Sequence, residues 1–292
     1  MKGIILAGGS GTRLYPITEG ISKQLMPIYD KPMIFYPLTT LMLAEIREIL
    51  IITTEVDQSG FKKLLGDGSR FGVQLDYVIQ PSPDGLAQAF ILGEDFIGDE
   101  ACAMVLGDNI FYGNGLTKLL MNARKNAEAG YATNFGFRVH DPERFGIMEI
   151  DVEKNIVSVE EKPEHPKSDF AITGLYFYPA GVAEKAKQVQ PSARGELEIT
   201  SLNDMYLQEG KLKGELLGSG FSWFDTGTFD SEMDAAVLIR AIETNQSRVI
   251  ACPEQIAFDQ GWITREQLAE RAELLKKNSY GAFLKKTLEA TK

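Results

Sequence analysis

Short apolar runs alternate with amphipathic segments through the first hundred residues of the 292-residue chain. Continuous apolar runs that end at a glycine or a polar residue are typical of strands covered on both faces. These runs predict strands at residues 3–7, 48–53, 74–79 and 102–106. Apolar residues at helical spacing predict helices at residues 31–46, 57–65 and 85–96. Such alternation favours a largely parallel sheet with right-handed crossovers.

The rest of the chain contains more predicted strands and ends in helices. The strands are predicted at residues 132–139, from residue 144, and at 156–160, 172–178 and 212–217. The helices are predicted at residues 116–129, at 196–208 and from about residue 230 onward. Thr264 and Gln267 have the spacing of a capping box. We predict an α/β fold, a Rossmann-like three-layer sandwich with a mostly parallel mixed central sheet and a helical C-terminal part, forming one domain over residues 1–292.

Composition and charge exclude several classes of partner. The net charge of −11 and the pI near 4.9 disfavour binding to a nucleic acid polymer or an anionic membrane, because both need a basic face. No apolar run approaches the roughly 18 residues of a membrane span, and the first strand follows the initial Met directly. We therefore expect a cytoplasmic location. The two cysteines lack C-x-x-C spacing and are expected to be reduced, and the two histidines suggest no metal site.

A glycine loop followed by two cations comes directly after the first predicted strand. Gly8, Gly9 and Gly11 allow a tight turn that exposes successive backbone N–H groups, which suit phosphate oxygens. Arg13 adds a rigid fork of donors, and Lys23 adds a mobile point charge. A glycine turn after a strand can also be only a tight connection, so both interpretations stay open.

Two better-known phosphate-binding loops are excluded by spacing. The P-loop needs a Gly-Lys pair followed by Ser or Thr, and the chain has none. The dinucleotide fingerprint G-x-G-x-x-G would need a glycine at Leu14. A P-loop protein and a nicotinamide dehydrogenase are therefore both disfavoured.

Polar motifs follow two further predicted strands. QPSPDG begins at Gln80, and Asp108 lies in GDN. In parallel α/β sheets, ligands bind beyond the carboxyl ends of the strands, so both motifs are expected near the glycine loop. From the residues alone, Asp84 could simply be a helix N-cap and Asp108 a turn-capping residue. Glycosyltransferases of similar fold usually carry an Asp-x-Asp pair, so the single Asp of GDN favours nucleotidyl transfer over glycosyl transfer.

Three motifs of the second half carry charged or aromatic side chains. They are EEKP at residues 160–163, SARGELEIT with Arg194, and SWFDTGT at residues 222–228. Locally, the cations could be solvated surface residues, Trp223 could belong to the core, and Asp225 could cap a helix that begins near Phe229. The spacing of these residues in the sequence does not decide between such structural roles and a role in a functional site.

Taken together, GGSGTRLYPIT, SKQLMPIYDKPMI, GDN and WFDTGT resemble the sugar-nucleotide pyrophosphorylases, in particular their glucose-1-phosphate thymidylyltransferases. The resemblance covers nearly the whole chain. It implies that the phosphate of glucose 1-phosphate attacks the α-phosphorus of dTTP in a Mg²⁺-dependent reaction that gives dTDP-glucose and pyrophosphate. It also implies the first step of dTDP-L-rhamnose-type deoxysugar synthesis, a homotetramer, and feedback inhibition by dTDP-rhamnose.

The resemblance assigns roles to individual residues. Those expected to bind the nucleotide are Leu6, Gly8, Gly9, Gly11, Thr12, Arg13, Gln80, Gly85 and Asp108. Those expected to bind the sugar phosphate are Gly146, Glu161, Lys162, Ile172, Arg194 and Trp223. The expected catalytic residues are Arg13, Lys23, Lys162, Asp108 and Asp225, of which Asp108 and Asp225 are expected to bind Mg²⁺. Residues 1–130 would form mainly the nucleotide-binding half, residues 131–229 mainly the sugar-phosphate half, and residues 230–292 the helical part.

Three other functions remain alternatives. A pyrophosphorylase that uses UTP or ATP would share the loop and the carboxylates and differ in the base pocket. A glycosyltransferase is disfavoured by the missing Asp-x-Asp pair. A non-catalytic nucleotide-binding module would not need Asp108, Lys162 and Asp225 together.

Overall fold

The computed structural model describes residues 1–9 and 11–290. The strands are β1 (Lys2–Ala7), β2 (Pro27–Ile28), β3 (Lys31–Pro32), β4 (Glu48–Thr53), β5 (Gln74–Ile79), β6 (Cys102–Leu106), β7 (Asn109–Gly113), β8 (Ala132–Arg138), β9 (Gly146–Ile150), β10 (Ile156–Glu161), β11 (Phe170–Tyr178), β12 (Leu212–Leu217) and β13 (Phe221–Asp225). The helices are α1 (Phe35–Leu43), α2 (Gln58–Leu65), α3 (Gln88–Leu92), α4 (Glu94–Ile97), α5 (Leu116–Glu128), α6 (Val182–Ala186), α7 (Ile199–Gln208), α8 (Phe229–Gln246), α9 (Pro253–Asp259), α10 (Arg265–Leu274) and α11 (Ser279–Ala290).

A mixed nine-stranded sheet forms the centre of the molecule, with the order β10-β9-β11-β6-β1-β4-β5 and with β8 and β12 attached through β11. The strands of the first hundred residues pair in parallel, β1 with β4 and β6, and β4 with β5. β11 pairs antiparallel with β6, β8 and β9. The predicted α/β sandwich with a mixed central sheet is confirmed.

Both faces of the sheet are covered by helices. Along β1, Ile5 and Ala7 face a core shared with α1, α5 and the C-terminal helices. Ile4 and Leu6 face a second core shared with α3, α4, α6 and α7. A strand buried on both faces reads as a continuous apolar run, which explains why β1 carries the sequence GIILA.

Three predicted helices differ from the structure. Residues 31–46 begin as β3, which pairs with β2, and become helical only at Phe35. Residues 85–96 form two short helices separated at Gly93, and Gly85 has a left-handed φ of +109°. Asp84 is therefore not a helix N-cap. The helix predicted at 196–208 begins at Ile199, because the backbone of Glu198 is still extended.

The C-terminal helices agree with the prediction over the part that is described, and residues 291–292 of the predicted helical part lie outside it. Thr228, rather than Asp225, caps α8 by accepting a hydrogen bond from the N–H of Ser231. The capping box of Thr264 and Gln267 is confirmed at the start of α10. Across residues 1–9 and 11–290, no helix is long and apolar enough to cross a membrane.

Candidate active site

A cleft of about 380 Å³ opens beyond the carboxyl ends of β1, β5 and β6. Parallel strands deliver their following loops to one edge of the sheet, so residues distant in sequence meet there. The lining residues are Leu6, Gly8, Gly9, Arg13, Gln24, Gln80, Pro83, Gly85, Leu86, Leu106, Asp108 and Glu196. Seven of the nine residues predicted to bind the nucleotide are among them. The other two, Gly11 and Thr12, line an adjoining cavity of about 240 Å³ together with Arg13, Lys23 and Gly227.

The glycine loop has the open backbone that its sequence predicts. Gly9 and Gly11 have φ angles of +101° and +59°, which L side chains rarely adopt. A Cβ on Gly8 would lie 2.1 Å from Oε1 of Gln80, so a larger residue there would displace the Gln80 amide. The N–H groups of Gly8 and Gly9 donate to no acceptor on the described residues. They are available to an anion in the cleft. Ser10 lies outside the described residues.

Two aspartates from distant parts of the chain lie together beside the loop. The antiparallel pair β7 and β13 sets Asp225 opposite Asn109, the neighbour of Asp108. Thr226 fixes this arrangement, because its N–H and its hydroxyl donate to the Asp108 carbonyl at 3.1 and 2.7 Å. Lys23 forms an ion pair with the Asp108 carboxylate. The GDN and FDTGT motifs therefore form one acidic centre next to the Lys23 ammonium.

The two carboxyl groups of this centre have opposite pKa shifts. Burial acts to raise the pKa of Asp108, but the Lys23 ammonium and hydrogen bonds from Lys23 and Asn109 lower it below the ordinary value. Burial and the nearby Asp108 carboxylate raise the pKa of Asp225 to about 6. The nearby cations thus do not fully offset burial and the repulsion from Asp108, so the ionised form of Asp225 is destabilised.

This donor set fits a hard divalent cation that is also bound by the substrate. Carboxylate oxygens are the ligands that Mg²⁺ prefers, usually one or two of them together with water and substrate phosphates. No group of three or more His, Cys, Asp or Glu that could hold a metal occurs within residues 1–9 and 11–290. Two carboxylates beside an open glycine loop therefore match an ion shared with phosphates.

Glu161 is the centre of a second cluster, formed mostly by residues predicted to bind the sugar phosphate. Thr200 donates to Glu161 at 2.5 Å, and the Arg194 guanidinium lies 3.3 Å from its carboxylate. A Cβ on Gly146 would lie 3.1 Å from Glu161 and 3.9 Å from Ile172. These side chains are therefore gathered at one place.

The cations of this cluster are surrounded by carboxylates. Arg194 lies 2.8 Å from Glu198 and 3.5 Å from Glu196, which also lines the cleft. Its pKa is raised, first by the hydrogen bond to Glu198. Lys162 is exposed, has a φ of +44°, and lies 3.8 Å from Glu161. The positive charges of this cluster thus lie close to carboxylates of the protein itself.

Trp223 lies in the core. Its indole Nε1–H donates to Oδ1 of Asn109 at 2.6 Å, and its ring packs edge-on against Phe145 at 5.4 Å. The N–H of Gly174 donates to the same oxygen at 3.0 Å. Trp223 therefore supports the turn that carries Asp108, and its direct contact with a sugar stays a prediction.

Sequence reasoning missed several polar residues at the site. Glu198 and Thr200 belong to the helix predicted at 196–208, and Gln88 to the helix predicted at 85–96. Asn109 was noted only as part of GDN. None of these residues interrupts the hydrophobic pattern of its segment, so their place at the site becomes apparent only from their neighbours in the structure.

The sequence profile of the Nucleotidyl transferase family matches residues 2–241. The chain, with its mixed sheet, its glycine loop and its two adjacent aspartates, is therefore a nucleotidyl transferase. The fold is also that of a UDP-glucose pyrophosphorylase complexed with UDP-glucose, with a TM-score of 0.71 at 22% identity, over 82% of this chain and 98% of that one.

More similar relatives narrow the family. A glucose-1-phosphate thymidylyltransferase from Neisseria gonorrhoeae is 57% identical over 97% of this chain and 98% of its own length. One from Mycobacterium tuberculosis is 53% identical over 99% of both chains. A crystal structure from Bacillus anthracis, described as a glucose-1-phosphate thymidylyltransferase in complex with a sucrose, has a TM-score of 0.75 at 41% identity, over 82% of this chain and 95% of that one. The chain belongs to the glucose-1-phosphate thymidylyltransferases within the nucleotidyl transferase family, and it is an enzyme.

Proposed function

We propose that the enzyme joins dTTP and glucose 1-phosphate to give dTDP-glucose and pyrophosphate. The observation that carries this proposal is one continuous site in which the glycine loop, Gln80 and the Asp108–Asp225 pair adjoin the Glu161 cluster. Glu196 connects the two parts, since it lines the cleft and lies 3.5 Å from Arg194.

In this proposal the nucleotide occupies the cleft. The Gln80 amide accepts from N3–H of the base and donates to O4, which an amide can do with one edge. The triphosphate lies on the N–H groups of Gly8 and Gly9, with the guanidinium of Arg13 and the ammonium of Lys23 beside it. Leu6, Gly11, Thr12 and Gly85 complete the subsite.

Nucleotidyl transferases generally use a divalent metal ion, and we propose Mg²⁺ between Asp108 and Asp225. When bound, it supplies charge neutralisation for the triphosphate. The raised pKa of Asp225, about 6, supports this assignment, because a cation there would relieve the repulsion between the two carboxylates.

Glucose 1-phosphate is proposed to bind at the second cluster, with Glu161 accepting from sugar hydroxyls and Gly146, Ile172 and Trp223 shaping the pocket. Lys162 and Arg194 bind its phosphate. The second pKa of a phosphate monoester is near 6, so the attacking oxygen is already ionised at neutral pH and needs no general base. Catalysis then depends on aligning this oxygen with the α-phosphorus and on offsetting the repulsion between anions.

Assembly and regulation stay predictions. We propose a homotetramer in the cytoplasm, with feedback inhibition by dTDP-rhamnose. We also propose that the nucleotide-binding half ends at residue 130 and the sugar-phosphate half at residue 229. A cavity of about 510 Å³, lined among others by Tyr36, Tyr112 and Arg248, has room for such a nucleotide apart from the cleft. Sedimentation and inhibition assays test these points.

Pyrophosphate release tests the proposed reaction directly. The enzyme should be assayed with dTTP, UTP, ATP and CTP, each combined with the 1-phosphates of glucose, galactose and mannose. We expect the highest specificity constant for dTTP with glucose 1-phosphate, and moderately lower use of UTP, since one methyl group in a pocket contributes about 1–3 kcal/mol. Preference for UTP or ATP would favour the alternative pyrophosphorylases.

A further inference from the structure

A chain of hydrogen bonds lies behind the residue proposed to read the base. Nε2 of Gln80 donates to Oε1 of Gln88 at 2.7 Å. Nε2 of Gln88 in turn donates to Oδ2 of Asp84 at 2.8 Å, and the Ser82 hydroxyl donates to the same oxygen at 2.5 Å. We call Gln80, Gln88 and Asp84 the amide relay.

The carboxylate at its end gives the relay a fixed direction. An ionised Asp84 can only accept, so Gln88 must turn its NH₂ group toward Asp84 and its oxygen toward Gln80. Gln80 must then turn its NH₂ group toward Gln88. Reversing the Gln80 amide would set two carbonyl oxygens against each other, and reversing both amides would set a carbonyl oxygen against the carboxylate.

The direction of the Gln80 amide matters because thymine and cytosine present opposite patterns. Thymine and uracil offer a donor at N3 and an acceptor at O4, whereas cytosine offers an acceptor at N3 and a donor at N4. A glutamine that could rotate its amide by half a turn would pair with either base. Discrimination between them therefore requires that something hold the amide.

The relay is anchored in packed structure. Gln88 begins α3 and is only 9% exposed, and its amide lies between the half-buried Gln80 and the exposed Asp84. The backbone around Asp84 is tied to Leu197, whose N–H donates to the Asp84 carbonyl at 2.7 Å. Oε1 of Gln80 lies against Gly8, on the side that lines the cleft.

We propose that Gln88 and Asp84 are positioning residues that hold the Gln80 amide in the orientation for thymine or uracil and thereby exclude cytosine. This inference rests on the proposed function, in which Gln80 reads the base. Neither Gln88 nor Asp84 lines the cleft in which the base is proposed to bind. Their effect should fall on the choice between pyrimidines rather than on the reaction with dTTP.

The test compares specificity constants for dTTP, dUTP and dCTP with glucose 1-phosphate in the full-length enzyme. Asp84→Asn and Gln88→Leu should each raise the use of dCTP relative to dTTP by about 10- to 100-fold, the range that one hydrogen bond to a charged group represents. The double variant Gln88→Glu with Asp84→Asn should keep the wild-type ratio within about threefold, because the carboxylate at position 88 accepts both from Gln80 and from the new amide at position 84. The dUTP to dTTP ratio should stay unchanged in all three, since uracil uses the same amide orientation.

A matched control lies on β5, where the exposed Gln74 amide donates to Asp76 at 3.0 Å. Asp76→Asn should alter no ratio, and melting curves show whether each variant is folded. An unchanged dCTP to dTTP ratio in folded Asp84→Asn and Gln88→Leu would overturn the relay.

A Gln80→Leu variant distinguishes failure of the amide relay from failure of the proposed base reading by Gln80. If Gln80→Leu loses discrimination against dCTP while the relay variants keep it, the proposed base reading stands and the relay is wrong. If the wild type uses dCTP as readily as dTTP, or if Gln80→Leu changes no ratio, the base is read elsewhere and both proposals fail.

Discussion

Two arginines show how differently the two halves of the site are prepared for phosphate. Within residues 1–9 and 11–290, Arg13 makes no ion pair, and it lies beside the open glycine loop. Arg194 lies within 3.5 Å of Glu161, Glu196 and Glu198. One guanidinium is available to a ligand, and the other is already occupied by carboxylates.

The depth of the two regions differs in the same way. Lys23 and Asp108 in the nucleotide region have side chains that are 12% and 17% exposed, whereas Lys162 and Arg194 are 46% and 41% exposed. Buried charges are screened less by solvent and salt than exposed ones. We therefore expect larger electrostatic effects from the proposed nucleotide region. In the proposed sugar-phosphate region, the phosphate would have to displace the glutamates from Arg194.

The largest effect is expected from Asp225→Asn. An amide cannot replace the charge of the proposed metal ligand, so turnover at saturating Mg²⁺ should fall on the order of 10²- to 10³-fold. Pyrophosphate release measures it, with Asp230→Asn, on the exposed first turn of α8, as the matched control. Wild-type turnover in Asp225→Asn, or full wild-type activity in excess chelator, would contradict the metal assignment.

The arginine comparison is tested by removing each in turn. Arg13→Ala should lower kcat/KM for dTTP by about 100-fold, whereas Arg194→Ala should raise KM for glucose 1-phosphate by only about tenfold, because Arg194 is already neutralised. Arg240→Ala, on the exposed face of α8, is the control. Equal losses of activity in Arg13→Ala and Arg194→Ala would show that the carboxylates around Arg194 do not weaken its contribution.

A smaller and more selective effect is expected at Lys162. Lys162→Met removes an exposed charge, so affinity for glucose 1-phosphate should fall by about tenfold or less, with dTTP binding nearly unchanged. Calorimetry with each ligand measures both affinities, and Lys167→Met provides an exposed control nearby. Loss of dTTP affinity alone would mean that the two regions are assigned the wrong way round.

The smallest effect concerns stability in the absence of metal. The folded pKa of Asp225, about 6, lies above its ordinary value of 3.8, so folding loses free energy as pH rises from about 4 to 6. Above pH 6 the full penalty applies, on the order of 1–3 kcal/mol. In excess chelator, Asp225→Asn should therefore melt above the wild type at pH 7.5 and not at pH 4. If Asp225→Asn were less stable than the wild type at pH 7.5 in excess chelator, the Asp225 carboxylate would not be destabilised by its surroundings.

Much of the fold could be predicted because its strands are covered on both faces. Continuous apolar runs located β1, β4, β5 and β6 within a residue or two. The helix predicted from Lys31 begins only at Phe35, because a Pro-containing hairpin of β2 and β3 takes its first residues. The helix predicted from Gly85 begins only at Gln88, because Gly85 adopts a left-handed backbone, which helical periodicity does not reveal.

The site was predictable where it depends on topology and not where it depends on side-chain direction. Loops that follow parallel strands must meet at one edge, so Gly8, Gln80 and Asp108 could be grouped from the sequence. The contact of Arg194 with Glu161 joins segments 33 residues apart, and the amide relay depends on two rotatable amides. Such contacts need coordinates.

The central claim is that an oxygen of the sugar phosphate attacks the α-phosphorus of dTTP. Glucose 1-phosphate labelled with ¹⁸O in all its phosphate oxygens, incubated with dTTP and Mg²⁺ and followed by ³¹P NMR, tests it directly. We expect the label to stay in the sugar-linked half of dTDP-glucose, including the new P–O–P bridge, and the released pyrophosphate to be unlabelled. Labelled pyrophosphate or labelled inorganic phosphate would contradict it.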